Sequence, residues 1–193
     1  SYEMQRKSGL LRFRYPVNYT LQKFFSLEEW KEKALPFFFD SSKEVSFSSV
    51  HINNLASDFH RVVKGECCFF SSAWYDLGTD CDWVTNPDTN YKYDVSKHWT
   101  EVEDIVQEAG DTKYVWEKSR FSYLYTVIRY DHSTGEDHSQ FVFDQIQDWI
   151  DKNPLNCGPN YKCSQEISLR VLNWIFALYY YKSSPLLTES CFQ

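Results

Sequence analysis

The sequence predicts a mainly α-helical protein in which helical hairpins stack into a ring. Most of the chain after residue 94 repeats apolar residues at helical spacing, and short loops separate helices of about 12–20 residues. One helix near the C-terminus is apolar on almost every side, which is typical of an inner, buried helix. No sequence repeat of fixed period is present, so a regular solenoid is less well supported than a ring.

Two helices are predicted in the N-terminal part of the chain. Ser26 and Glu29 have the spacing of a capping box, which predicts a short helix that begins after Ser26 and ends before Pro36. A second helix is predicted over residues 48–63, where apolar residues recur at helical spacing. We therefore assign residues 1–65 to an N-terminal helical segment.

Residues 66–93 have a different character. Short aromatic runs alternate with turn residues there and show no helical period, which predicts a short hairpin or an extended excursion between helices. Asp76, Asp80 and Asp82 lie in this stretch but lack the pattern of a calcium-binding loop. We interpret these three acids as turn residues.

Helical periodicity resumes at Trp99 and predicts four further helices. The first carries Trp99 on its apolar face and ends at Gly110. The others are predicted over residues 111–130, 139–151 and 164–181.

The last of these helices combines an apolar body with polar residues in its first turns. Glu166, Arg170, Asn173 and Trp174 lie there, and Glu166 and Arg170 are four residues apart, the favourable order for a helical ion pair. Polar groups cost free energy inside a core unless they are paired or face a cleft. The pattern indicates that the polar end of this helix lines a binding site.

A second group of the same composition lies in the sequence W-E-K-S-R. Trp116 and Arg120 share one helix face, and Glu117 is three residues from Arg120. One interpretation is a surface ion pair beside a core tryptophan. The other is that Glu117 holds Arg120 toward a ligand carboxylate or sulfate, groups that a guanidinium binds in a bidentate way.

Composition excludes several classes of function. The net charge of −7 argues against a general nucleic-acid binder, which needs a basic face. No run of about 18 apolar residues is present, so no membrane partner is expected. The aromatic content of 19% fits either a core of large side chains or sugar-stacking platforms in a groove.

No metal or cofactor is expected from the motifs. The five histidines form no pair at ligand spacing, and no phosphate-binding or dinucleotide-binding motif occurs. Six cysteines are too few for a disulfide framework in a chain of this length, although a bridge between Cys157 and Cys163 stays open.

Three stretches together resemble a known family: DLGTDCDWVTNPDTNYKYDVSKHW, KYVWEKSRFSYLY and NPLNCGPNYKCSQEISLRVLNWIFALYY. They are similar to the N-terminal helical region of the heparinase II/III family of polysaccharide lyases. The resemblance covers residues 70–192, and its most specific parts are W-E-x-x-R and E-I-S-x-R-x-x-N-W. It implies that residues 66–193 are the N-terminal part of an incomplete (α/α) toroid, truncated at the C-terminus. In full-length relatives the rest of the toroid and a β-sandwich domain follow.

The resemblance also implies a reaction and a location. The family cleaves uronic-acid-containing glycans, heparan-sulfate-like or alginate-like, by β-elimination without a cofactor, and its members are periplasmic or secreted. Carried onto this chain, it implies that an acidic polysaccharide is bound near seven residues: Trp116, Glu117, Arg120, Glu166, Arg170, Asn173 and Trp174. The family's catalytic Asn-His pair, Tyr and further His usually follow the matched segment, so no catalytic residue is expected within this chain.

Two other functions remain open from the sequence. One is a non-catalytic glycan-binding or assembly module on the same helical scaffold. The other is an (α/α)-barrel glycoside hydrolase that uses two carboxylates, although the sequence offers no convincing catalytic acid pair.

Overall fold

Helices dominate the fold, which confirms the predicted mainly α-helical class. The structure, a computed structural model, describes residues 2–17, 25–37, 54–103 and 106–192. Within these ranges the α-helices are α1 (Tyr2–Lys7), α2 (Leu10–Arg14), α3 (Leu27–Lys33), α4 (Leu55–Val63), α5 (Lys113–Ser119), α6 (Leu124–Thr134), α7 (Ser139–Lys152), α8 (Ser164–Tyr180) and α9 (Glu189–Phe192). The other elements are β1 (Glu66–Phe69), β2 (Ala73–Asp76) and the 3-10 helices Trp99–Glu101, Gln107–Ala109 and Pro159–Tyr161.

Both N-terminal helix predictions are confirmed as far as the structure describes them. The Ser26 hydroxyl accepts a hydrogen bond from the Glu29 amide at 3.1 Å, and the Glu29 carboxylate accepts one from the Ser26 amide at 3.0 Å. This reciprocal capping box starts α3. Helix α4 confirms the C-terminal part of the prediction over 48–63, whereas residues 48–53 lie outside the described residues.

The hairpin predicted within residues 66–93 is present. Strands β1 and β2 pair antiparallel, with Glu66 opposite Asp76 and Phe69 opposite Ala73. Phe69 is completely buried and attaches the hairpin to the main core. Along β1 the side chains alternate between buried and partly exposed, as strand geometry requires, whereas no side chain of β2 is fully buried.

The helix predicted from Trp99 to Gly110 is wrong for the residues that the structure describes there. Two isolated 3-10 turns replace it, and the backbone is extended at Val102. The carbonyls of Thr100 and Val102 accept hydrogen bonds from the Arg6 guanidinium of α1, at 3.0 and 3.3 Å. Because a side chain from elsewhere in the chain satisfies these acceptors, the segment does not need helical hydrogen bonds.

The single helix predicted over residues 111–130 is also wrong. The chain forms α5 and α6 instead, separated by Phe121 with a left-handed φ of 61°. The Phe121 ring is completely buried and stacks on Trp83 with centroids 5.2 Å apart. Left-handed backbone costs about 1–2 kcal/mol for a residue with a Cβ, so the surrounding packing has to hold this break in place.

Helices α7 and α8 confirm the last two helix predictions, but α8 is not buried on every side. Its buried residues are Glu166, Arg170, Asn173 and Ala177, whereas Val171 and Leu172 are 42% and 41% exposed. The buried stripe is therefore largely polar. The expectation of an all-round buried apolar helix fails because the polar groups find partners at the break between α5 and α6.

The helices pack around one main core and one smaller core. The main core joins α4, the hairpin, α6, α7 and α8 through the buried residues Phe59, Phe69, Phe121, Val127, Val142, Trp149 and Ala177. The smaller core contains Val84, Tyr93, Val102, Ala109 and Val115.

All six cysteines are free thiols, so Cys157 and Cys163 form no bridge. In the described part of the chain, no helix is long and apolar enough to cross a membrane.

Buried tyrosines predict a loss of stability at alkaline pH. Burial raises the pKa of Tyr123 well above its ordinary value of 10.0, raises that of Tyr180 to about 12, and also raises that of Tyr181, which donates to Asp131 at 2.6 Å. A raised folded-state pKa gives stability that is complete below the unfolded pKa, about 10, and is lost as pH rises through the folded value.

We therefore expect the free energy of unfolding to fall above about pH 10. Spectrophotometric titration of tyrosinate should show that some of the phenols ionise at a higher pH in the native protein than in denaturant. Identical native and denatured titration curves would contradict the burial of these phenols.

Candidate functional site

The residues singled out in the sequence meet where α5 ends and α8 passes beside it. We call Glu117, Arg120, Glu166, Arg170 and Asn173 the α5–α8 cluster. The two segments that contribute them, W-E-K-S-R and the start of α8, are more than forty residues apart in the chain. Direct hydrogen bonds connect them in the structure.

Arg120 lies at the centre of the α5–α8 cluster between two carboxylates. Its Nε and Nη2 donate to the two carboxylate oxygens of Glu166, at 2.6 and 2.8 Å, and its Nη1 pairs with Glu117. The hydrogen bonds to Glu166 are the main reason that the pKa of Arg120 is raised. Glu117 also accepts from the Phe70 amide at 3.0 Å, which connects the cluster to the turn of the hairpin. Three of the five guanidinium N–H donors are thus used, and the Arg120 side chain is 23% exposed.

Arg170 is buried, with 2% exposure, and it binds backbone rather than carboxylate. Its Nε donates to the Ser119 carbonyl at 2.8 Å and its Nη2 to the Asn160 carbonyl at 3.1 Å. The guanidinium carbon lies 4.1 Å from the centroid of the Trp149 ring. Burial lowers the pKa of Arg170 to about 10, and the nearby Glu166 partly offsets that effect.

Asn173 joins α8 to the break itself. Its side-chain nitrogen donates to the Arg120 carbonyl at 2.6 Å, and its oxygen accepts from the Tyr125 hydroxyl at 2.7 Å. Tyr125 is 36% exposed and brings a phenol to the edge of the cluster. Together, Asn173 and Arg170 satisfy two consecutive carbonyls at the point where the helix stops, which explains why the left-handed backbone at Phe121 is tolerated.

The two tryptophans pack beside the cluster against different partners. Trp116 is partly buried and donates from its indole nitrogen to the Pro159 carbonyl at 3.0 Å. Trp174 packs edge-on against Phe121, with centroids 5.4 Å apart, and its buried indole nitrogen has no partner among the described residues. Trp174 also lines an apolar groove of about 600 Å³ between α7 and α8.

Sequence reasoning missed three polar residues that complete this arrangement, Ser119, Asn153 and Asn160. Asn160 is completely buried; its side chain donates to the Trp83 carbonyl at 3.0 Å and to the Asn153 side chain at 2.9 Å. Ser119 accepts from the Trp149 indole at 3.1 Å through its hydroxyl. In the sequence, Asn153 and Asn160 look like ordinary turn residues. Their burial depends on residues that are distant in the chain, so no local periodic pattern could have predicted it.

The charges of the cluster balance, since two arginines face two glutamates. An acidic ligand would therefore meet a neutral surface with free N–H donors on Arg120 rather than a repelling one. Across the described ranges, no group of three or more His, Cys, Asp or Glu side chains could hold a metal ion. Both carboxylates of the cluster are engaged by Arg120, so neither is free to act as a general base in this arrangement.

No family model matches this sequence, and no curated protein matches it. The fold is similar to the crystal structure of a mutant of the heparan sulfate lyase HepC from Pedobacter heparinus. The likeness has a TM-score of 0.59 at 17% sequence identity, and it covers 86% of this chain and 24% of that chain. This likeness confirms a mainly helical architecture that is consistent with part of a helical toroid. At 17% sequence identity it is evidence for the fold and not for the function.

Proposed function

We propose that this chain is the N-terminal helical part of a polysaccharide lyase that cleaves uronic-acid-containing glycans by β-elimination. The observation that carries the proposal is the fold similarity to a heparan sulfate lyase over 86% of the chain. A second line of support is that the two most specific segments of the sequence resemblance contact each other through the Arg120–Glu166 pair. A periplasmic or secreted location belongs to the same proposal.

The reaction sets requirements that this chain meets only in part. A base removes the proton from C5 of the uronate, the C4–O bond breaks with formation of a C4–C5 double bond, and an acid protonates the leaving oxygen. The uronate carboxylate must be neutralised so that the C5 proton becomes acidic. In our proposal the α5–α8 cluster binds the polymer, and the base and acid lie outside this chain, in the rest of the toroid.

Within the cluster, exposure divides the proposed roles. Arg120, Trp116 and Trp174 are only partly buried, so we assign them contact with the sugar. Glu117, Glu166, Arg170 and Asn173 are buried. We propose that the two glutamates orient Arg120. We propose that Arg170 and Asn173 hold the backbone segment that carries Arg120.

The test is an elimination assay on heparan sulfate, alginate and other uronate polymers. A longer protein that contains this segment should release unsaturated uronate, detected by its ultraviolet absorbance, whereas residues 1–193 alone should not. Elimination by residues 1–193 alone would contradict the placement of the catalytic groups outside the chain. A longer protein that binds these polymers without any product would instead be a glycan-binding module. New reducing ends without the unsaturated chromophore would identify a hydrolase.

A further inference from the structure

The turn of the β1–β2 hairpin carries an exposed aromatic side chain to which the proposed function gives no role. The Ser72 amide donates to the Phe69 carbonyl at 3.0 Å, which closes the turn around Phe70 and Ser71. Phe70 is 45% exposed, whereas Phe69, the residue before it, is completely buried. The hairpin therefore presents one phenylalanine to the core and the next one to solvent.

The backbone of this turn is strained. Phe70 has a φ of 52° and Ser71 a φ of 55°, both in the left-handed region. Hairpin turns of this kind favour glycine, asparagine and aspartate, and a bulky residue with a positive φ is an outlier. Asparagine or glycine in place of Phe70 would close the same turn at a lower cost and would expose no apolar ring. Folding alone therefore does not account for a phenylalanine here, and strain of this kind clusters at ligand-binding sites.

Glu117 holds this turn, and the same carboxylate pairs with Arg120. The Phe70 amide donates to Oε2 of Glu117 at 3.0 Å, and Oε1 pairs with the Arg120 guanidinium. The Glu117 side chain is only 8% exposed. One buried carboxylate thus fixes the turn and the guanidinium at its two oxygens, which places the exposed Phe70 ring beside the α5–α8 cluster.

Tyr114 supports the Phe70 ring from α5. The two rings meet edge to face, with centroids 5.2 Å apart and planes at 85°. Tyr114 also contacts the buried Phe69, with centroids 6.3 Å apart, and Tyr75, with centroids 5.8 Å apart. A ring that is supported in this way loses little conformational freedom when a ligand packs on it, so less binding free energy is spent on ordering it.

We propose that the Phe70 ring is a sugar-stacking subsite, next to the position at which Arg120 binds an acidic group of the polymer. This inference rests on the proposed function. A sugar ring has a face made mainly of C–H groups, which packs on an aromatic ring, and a guanidinium binds the carboxylate or sulfate of an acidic sugar. A uronate polymer offers both groups along one chain. The exposed part of one supported ring is too small for a stable protein interface, so we favour a glycan over a protein partner.

The test compares the binding of heparan sulfate and alginate oligosaccharides to the wild type, Phe70→Asn and Phe70→Tyr by isothermal titration calorimetry. Phe13→Asn is the matched control, since Phe13 is 87% exposed on α2, outside the α5–α8 cluster. We expect Phe70→Asn to lose a factor of about three to ten in affinity for the oligosaccharide that the wild type binds. Phe70→Tyr and Phe13→Asn should bind like the wild type. The loss should be the same at low and at raised salt, because stacking is not screened as an ion pair is.

The Tm of Phe70→Asn should stay close to that of the wild type, because asparagine adopts left-handed backbone more readily and so offsets the lost contact with Tyr114. If this variant does not fold, Phe70→Leu removes the aromatic face and keeps an apolar side chain.

Equal affinities of the wild type and the Phe70 variant would overturn the subsite, and the lyase proposal would stand on Arg120 and the elimination assay. Equal affinities together with the loss of a dimer in sedimentation would assign the ring to a contact between protein chains instead. A wild type that binds none of the uronate oligosaccharides would overturn the subsite and the glycan site together.

Discussion

Replacing Arg170 with methionine should lower the free energy of unfolding by about 3–5 kcal/mol. Methionine fills much of the same volume but leaves the Ser119 and Asn160 carbonyls, which Arg170 now satisfies, without donors. Each unsatisfied buried acceptor costs about 1–3 kcal/mol, and the contact with the Trp149 ring is weakened as well. Urea unfolding followed by tryptophan fluorescence measures the difference.

Arg129→Met is the matched control for this variant. Arg129 lies on α6 and its side chain makes no hydrogen bond or ion pair with the described residues, so its replacement should change stability by about 0.5 kcal/mol or less. If Arg170→Met were as mild as Arg129→Met, the assignment of Arg170 as the residue that holds the break between α5 and α6 would be wrong.

Gly65→Ala should destabilise the protein by about 3 kcal/mol and loosen the hairpin. Gly65 has a φ of +94°, and a Cβ there would lie 2.3 Å from the Gly78 carbonyl carbon and 2.4 Å from its oxygen. The left-handed backbone costs alanine about 1–2 kcal/mol, and the overlap with backbone atoms adds a cost of about 1–3 kcal/mol.

Gly78→Ala separates the two contributions. Gly78 has a φ of +70° but open space where a Cβ would lie, so alanine there should cost only the backbone contribution, about 1 kcal/mol. Thermal unfolding of the two variants gives the comparison. Equal losses of Tm would show that the close approach of Gly65 to Gly78 does not constrain the hairpin.

The sequence predicts the fold best where one local signal decides the structure. The capping box at Ser26 and the periodicity of α7 and α8 are local signals, and these helices form where they were expected. The predictions fail at two places. At Thr100, the distant Arg6 donates to a carbonyl that a helix would otherwise use. At Phe121, a buried ring holds the backbone in a left-handed conformation. Propensity is a weak prior at such points because tertiary contacts outweigh it.

The candidate site was predictable as a set of residues but not as a geometry. The spacing of Trp116, Glu117 and Arg120 indicated a pair within one helix, and the structure adds the bidentate contact to Glu166 from another helix. Spacing alone does not show that Arg170 binds carbonyls while Arg120 remains accessible. The two arginines have similar local surroundings in the sequence, and only the structure distinguishes them by their burial and by their partners.

The central claim, that the α5–α8 cluster is part of an acidic-glycan site, is tested most directly by heparan sulfate binding to Arg120→Gln. Isothermal titration calorimetry at low salt compares this variant with the wild type and with Arg12→Gln, which removes an exposed arginine paired with Glu101. Far-UV circular dichroism first confirms that each variant is helical. We predict an affinity loss of about tenfold for Arg120→Gln and no loss for Arg12→Gln. Equal affinities of Arg120→Gln and the wild type would contradict the claim.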